Sequence, residues 1–126
     1  MDKTISGQKS RDIYERTFSF ACRVVQLYQY LIKKKGGCEV IARQVLKSGT
    51  SIGANMQEAK NGMSKADFVC KYNIALKEAR ETNYWLSLLQ KTGLVSERKI
   101  GSFLNESDQI VAILSTIVKK SRNNMT

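Results

Sequence analysis

Apolar residues recur at alternating steps of three and four along almost the whole chain, which is the spacing of one face of an α-helix. The pattern predicts four helices, over about residues 10–35, 39–61, 65–92 and 97–122. Because the connections between them are short, sequential helices must run antiparallel. The sequence therefore predicts an all-α, antiparallel up-and-down four-helix bundle that forms a single domain over residues 1–126.

Capping residues support the predicted helix ends. Ser64 and Ser96 stand where the N-cap residues of the third and fourth helices belong. Asp67 lies three residues after Ser64, as in a capping box. Gly93 follows the third helix, where a glycine can take the left-handed backbone conformation of a C-cap.

The second predicted helix is unusual because its middle is built from small and polar residues. It reads SGTSIGANMQEAK over residues 48–60, with Gly49 and Gly53 four residues apart. Each glycine costs a helix about 1 kcal/mol relative to alanine, so a strand or loop is the alternative interpretation. Close packing of this backbone against a neighbouring helix would explain both glycines.

Three polar residues of the same segment, Ser51, Asn55 and Glu58, share one face of the predicted helix. This face is otherwise largely apolar, and polar groups in such surroundings need partners. We expect Asn55 or Glu58 to contact Arg80 of the third helix, so that the four residues form a structural polar network. The alternative is that all four are exposed on the surface.

The residue inventory argues against catalysis and metal binding. The chain has no His, the commonest general base and metal ligand. Glu58, Glu78 and Glu81 are a weak candidate for acid–base chemistry, because no His completes a di-metal motif of the Glu-x-x-His type. We therefore expect a protein that is not an enzyme, with no catalytic residue, no cofactor and no bound metal.

Cysteine usage and hydropathy indicate the compartment. The three cysteines, Cys22, Cys38 and Cys70, are isolated and odd in number, which favours reduced thiols. Cys22 and Cys70 lie beside apolar rows and are expected to fill the core. No apolar run approaches the ~18 residues that a membrane helix needs. The first residues lack the apolar stretch of a signal peptide. We expect a cytoplasmic protein without a membrane partner.

Charge is the strongest functional signal of the sequence. The chain has 21 Lys and Arg against 11 Asp and Glu, a formal net charge of +10, which favours a polyanionic partner such as nucleic acid. The densest basic run and the two basic residues that follow it are the predicted phosphate contacts: Lys33, Lys34, Lys35, Arg43 and Lys47. Few aromatic residues accompany them, so we expect little recognition of bases. The alternative is an ordinary solvated lysine surface.

The apolar stripe of the first helix is broader than an isolated bundle requires. Part of it is therefore expected to pack against another subunit. Phe20 and Leu27 are the predicted contacts of this oligomer interface.

The segments SGTSIGANMQEAK and SKADFVCKYNIALKEARETNYWLSLL, followed by the KTGL turn, resemble proteins encoded by intervening sequences of bacterial 23S rRNA genes. The resemblance covers about residues 10–120. It implies an up-and-down four-helix bundle similar to the accessory protein of diversity-generating retroelements. That relative forms a five-subunit barrel and contacts nucleic acid and a reverse transcriptase through basic surface. The resemblance therefore implies a homopentamer.

Together these observations predict a non-enzymatic, homopentameric bundle that binds nucleic acid through its phosphates. The sequence does not discriminate RNA from DNA. One alternative is a protein–protein adaptor for a polymerase or a reverse-transcriptase-like partner. Another is a structural or selfish-element protein with no tight ligand.

Overall fold

The computed structural model describes residues 9–34, 36 and 38–125, with the side chains of 13–34 and 38–123. Four helices follow one another along the chain: α1 (Lys9–Lys33), α2 (Glu39–Lys60), α3 (Lys65–Lys91) and α4 (Glu97–Met125). Each helix packs on the next one, and α4 returns to α1. The described residues contain no strand. This confirms the all-α four-helix bundle, and the interpretation of the second segment as a strand or loop is wrong.

The ends of α3 and α4 follow the predicted capping. The side-chain oxygens of Ser64 and Ser96 accept hydrogen bonds from the backbone N–H groups three residues later, at 3.1 and 3.2 Å. Gly93 has a φ of 76°, the left-handed conformation that ends α3 and turns the chain into α4. These caps fix where the last two helices meet.

The two glycines of α2 face α1 at close range. A Cβ atom at Gly53 would lie 3.2 Å from the backbone oxygen of Thr17. A Cβ atom at Gly49 would lie 2.9 Å from both γ-carbons of Val24. Any larger side chain would push the helices apart, so the low helix propensity of this segment is offset by close packing.

The core is built from the inward rows of all four helices. Its largest fully buried side chains include Phe20, Leu27, Leu31, Ile52, Met56, Leu86, Leu89, Ile100, Ile110 and Leu114. Phe20 and Leu27 are only 1% and 2% exposed, so the prediction that they form an oligomer interface is wrong. The outward apolar residues of α1 are instead Phe18, Val25 and Ile32.

A buried pair of hydroxyl groups joins α2 to α3 in the middle of the bundle. The Thr82 Oγ1 donates to Ser48 Oγ at 2.8 Å, and Ser48 Oγ donates to the carbonyl oxygen of Gln44 at 2.9 Å. Both hydroxyl groups are almost completely buried. Because each one has a partner, the polar atoms are accommodated without the cost of an unsatisfied buried group.

Long side chains from α1 span the contact with α4. The Arg16 guanidinium donates to both carboxylate oxygens of Glu106, at 3.1 and 2.9 Å. Arg23 lies over the ring of Phe103, 4.4 Å from its centroid, and donates to Ser102 Oγ. These arginines therefore serve the α1–α4 contact rather than an external ligand.

The cysteines differ in part from the prediction. All three are free thiols, but Cys22 and Cys70 are exposed, so their assignment to the core is wrong. Of the three cysteines, only Cys38, which precedes α2, is buried. Cys22 lies one turn after Phe18 on the outward side of α1, a position that the spacing of apolar residues did not identify.

We predict that Gly49→Ala lowers the free energy of unfolding by about 1–3 kcal/mol, because the new methyl group would overpack against Val24. Gly101→Ala is the matched control, since no atom lies within 4 Å of its added Cβ. This second change should raise the free energy of unfolding by up to about 1 kcal/mol through helix propensity. Urea denaturation measures both values, and stabilisation by both alanines would contradict the close α1–α2 contact.

Candidate functional site

The predicted basic cluster is divided between two parts of the structure. Lys33 ends α1 and is exposed, and Lys34 follows it with its Nζ 5.4 Å from the centroid of the Tyr30 ring. Lys35 lies outside the described residues. Arg43 and Lys47 are exposed on the outer surface of α2. The contiguous run therefore lies at the end of α1, whereas the two basic residues that follow it lie along α2.

Lys47 lies in the field of an acidic neighbour on α3. Burial, and secondly the charge of Glu81, raise the pKa of the Glu78 carboxyl above its ordinary value, while Lys77 and Lys47 act in the opposite direction. Lys47 therefore interacts electrostatically with Glu78 across the α2–α3 contact. This weakens its candidacy as a phosphate contact.

The predicted contact of Asn55 or Glu58 with Arg80 is wrong. Glu58 pairs with Lys71 of α3 at 2.6 Å, and this hydrogen bond raises the pKa of Lys71. Arg80 points the other way and donates to Ser115 Oγ of α4 at 3.4 Å. Lys71 and Arg80 lie on opposite flanks of α3, Lys71 towards α2 and Arg80 towards α4.

The other two members of the predicted polar network bond within their own helix. The Ser51 hydroxyl donates to the carbonyl oxygen of Lys47 at 2.7 Å. The Asn55 amide donates to the carbonyl oxygen of Ser51 at 2.8 Å. Each side chain thus has a hydrogen-bond acceptor in the preceding turn of α2, and neither needs a partner on α3.

A groove between α3 and α4 brings together basic residues that the sequence analysis did not combine. It has a volume of about 520 Å³. Its lining consists of Asn73, Leu76, Arg80, Ser115, Val118, Lys119, Arg122 and Asn123. We call it the α3/α4 groove. A neighbouring hollow of about 330 Å³ shares Asn73, Leu76 and Arg80 and adds Ile74 and Lys77.

The lining of the α3/α4 groove has the chemistry of an anion site. Arg80, Lys119 and Arg122 supply the positive charge, and none of the lining residues is a carboxylate. Asn73 and Ser115 add neutral hydrogen-bond donors to the same surface. Guanidinium groups match the oxygen geometry of phosphates, and lysine adds a point charge. The arrangement can hold phosphate groups.

The antiparallel course of the helices creates this groove. It places the C-terminal part of α4, which carries Lys119 and Arg122, beside the N-terminal half of α3. From the sequence, the presence of Lys119 and Arg122 near the end of a helix is accounted for by the helix dipole, whose negative end favours cations. The available signal was their spacing of three, which puts both side chains on one face of α4.

The described residues contain no group of three His, Cys, Asp or Glu side chains that could hold a metal ion. No described helix is long and apolar enough to cross a membrane. The four helices and the basic lining of the α3/α4 groove define a basic four-helix-bundle protein.

The comparisons with known proteins identify the family. Residues 9–116 match the family model of the 23S rRNA-intervening sequence protein, and the chain belongs to this family. It is similar to a crystal structure of a protein with unknown function from the S23 ribosomal protein family of Bacteroides thetaiotaomicron VPI-5482. The two chains are 44% identical with a TM-score of 0.80, over 86% of this chain and 96% of that chain. No curated protein matches this chain.

We predict that Glu78→Gln raises the midpoint of thermal unfolding at pH 7. The folded state raises the pKa of Glu78 above its ordinary value of 4.5, so the folded protein binds more protons than the unfolded chain between the two pKa values. The free energy of unfolding of the wild type therefore falls as the pH rises through that interval. Glutamine does not titrate, so the variant does not lose this stability. At about pH 3, where the carboxyl is almost fully protonated in both states, the two midpoints should coincide.

Calorimetry of the wild type and Glu78→Gln at both pH values measures the effect. Glu15→Gln, at an exposed position of α1, is the matched control and should change neither midpoint appreciably. A Glu78→Gln variant that is less stable than the wild type at pH 7 would contradict the direction of the pKa shift.

Proposed function

We propose that the protein is a non-enzymatic, cytoplasmic, homo-oligomeric bundle that binds nucleic acid through phosphate contacts in the α3/α4 groove. The observation that carries the proposal is the lining of this groove, where Arg80, Lys119 and Arg122 converge without a carboxylate. Phosphates are the matching ligand for such a surface in a chain of net charge +10.

The distribution of ion pairs supports this choice of site. Arg16 is paired with Glu106, Arg23 packs on Phe103, and Lys71 is paired with Glu58. Within the described part of the chain, no carboxylate forms a salt bridge with the three groove cations. Their charge is therefore available to an external anion.

The outward face of α1 supports self-association. Between residues 18 and 32 every exposed side chain of α1 is uncharged: Phe18, Ser19, Cys22, Val25, Gln26, Gln29, Tyr30 and Ile32. Two copies that each carry +10 repel one another, and the repulsion is smallest where neither presents a charge. Phe18, Val25 and Ile32 provide the apolar area for such a contact. We favour a homopentamer, the assembly that the family resemblance implies.

We predict that the wild-type protein, stripped of carried-over nucleic acid, binds fluorescent structured RNA and duplex DNA with a log K that falls with log salt by several units. Replacing Arg80, Lys119 and Arg122 together by alanine should weaken binding at low salt at least roughly tenfold. The same change should reduce the salt slope by about 3, one unit for each lost phosphate contact.

The triple alanine variant of Lys33, Lys34 and Arg43 is the matched control, since it removes the same charge from the site that the sequence favours. It should retain most of the affinity. Equal losses in both triple variants would show that net charge, rather than the groove, drives binding. A wild type that binds neither nucleic acid at low salt would contradict the proposal and favour the protein–protein adaptor.

We predict that Phe18→Lys combined with Val25→Lys dissociates the oligomer, because it places like charges on the uncharged face of α1. Light scattering should give the wild type about five times the monomer mass of 14.2 kDa, and the variant a monomer. Val40→Lys with Met63→Lys is the matched control at exposed apolar positions elsewhere. A wild type that is monomeric at micromolar concentration would refute self-association.

A further inference from the structure

We propose that the outer surface of α3 binds a single-stranded segment of nucleic acid, with the ring of Tyr84 stacking on an unpaired base between flanking cations. This inference rests on the proposed function and specifies its ligand. It follows from three observations: the alignment of residues on α3, the way the Tyr84 ring is held, and the charges that surround it.

The first observation is a row of four exposed residues on α3: Lys77, Arg80, Tyr84 and Lys91. At about 100° per residue, these positions fall within a sector of roughly 60° on the helix surface. From Lys77 to Lys91 the row extends about 21 Å along the helix axis. Arg80 also lines the α3/α4 groove, so the row continues the phosphate site without interruption.

The second observation is the exposure and support of Tyr84. Its side chain is 58% exposed, although it is a large aromatic group on a strongly basic surface. It packs against Trp85 at a centroid distance of 5.0 Å and an interplanar angle of 73°. The Trp85 Nε1 donates to Glu81 Oε2 at 3.2 Å, which fixes the indole. The ring of Tyr84 is thus held from one side while more than half of its surface is open.

The third observation concerns two acidic residues that flank the row. Glu81, towards α2, accepts the indole N–H of Trp85. Asp108 of α4 accepts the Asn83 amide at 2.7 Å. Both carboxylates thus have donors of their own within the bundle, and the row itself carries three cations and no acid. A phosphate backbone along the row would meet positive charge before and after Tyr84.

An exposed aromatic ring between cations favours single strands over duplexes. In a duplex the faces of the bases are covered by their neighbours, whereas an unpaired base can place its face on an aromatic side chain. Stacking of this kind tolerates any base, because every base has a π-face. The inference therefore concerns the class of nucleic acid and not a particular sequence.

The test compares a fluorescent single-stranded RNA of mixed, non-pairing sequence with a duplex of the same length. Tyr84→Ala should weaken binding of the single strand by roughly 5- to 150-fold and leave duplex binding nearly unchanged. The salt slope should stay the same, because the ring carries no charge. Tyr84→Phe should keep the affinity, and Val40→Ala, which removes an exposed apolar side chain from α2, is the matched control.

Trp85 gives a second readout, because it is the single tryptophan of the chain and packs against Tyr84. Its fluorescence should change when the single strand binds to the wild type, and the change should be smaller in Tyr84→Ala. Thermal unfolding of each variant checks that the fold is intact.

The outcomes separate this inference from the proposed function. If the wild type binds the single strand and Tyr84→Ala binds it equally well, stacking is refuted while phosphate binding stands. Equal losses for single strand and duplex would also refute stacking on an unpaired base. If the wild type binds neither ligand at low salt, the proposed function fails, and this inference fails with it.

Discussion

The close approach of α1 and α2 is the constraint on which the rest of the bundle depends. Because Gly53 has no Cβ, the backbone of α2 lies against the backbone oxygen of Thr17. The Thr17 hydroxyl donates to the carbonyl oxygen of Ile13 and needs nothing from α2. With the two backbones in contact, the rotation of α1 about its own axis is fixed. Phe20 then points into the core and Phe18 points to solvent.

The fold could be predicted from local signals, whereas the rotation of each helix could not. Hydrophobic spacing, capping serines and turn glycines each act within a few residues, and the structure confirms the helices that they indicate. The sequence of α1 shows several neighbouring apolar rows, and only contact with α2 and α4 decides which of them is buried. This is why the spacing of apolar residues assigns Phe20 and Leu27 to the wrong surface and places Cys22 in the core.

The candidate site was missed for a related reason. A contiguous run such as Lys33–Lys35 is visible in any sequence, but the α3/α4 groove joins Arg80 to Lys119 and Arg122, which are 39 and 42 positions further along the chain. Its formation depends on the register of α3 against α4, which the Gly93 turn and contacts such as Asn83 with Asp108 determine. Antiparallel order follows from short loops, but this register is a property of packed side chains. Charge density along the chain is therefore a poor guide to charge density in space.

The arrangement of the helices allows the two proposed surfaces to work together. α1 and α3 each pack on α2 and α4, so they are diagonal partners and their outer faces point in opposite directions. Association through the uncharged face of α1 would leave the basic face of α3 open on every subunit. A groove with three cations can neutralise only a few phosphates, and such a contact weakens steeply with salt. Several copies on one strand raise the effective concentration of each site for the next, so oligomerisation would convert a weak contact into a stable complex.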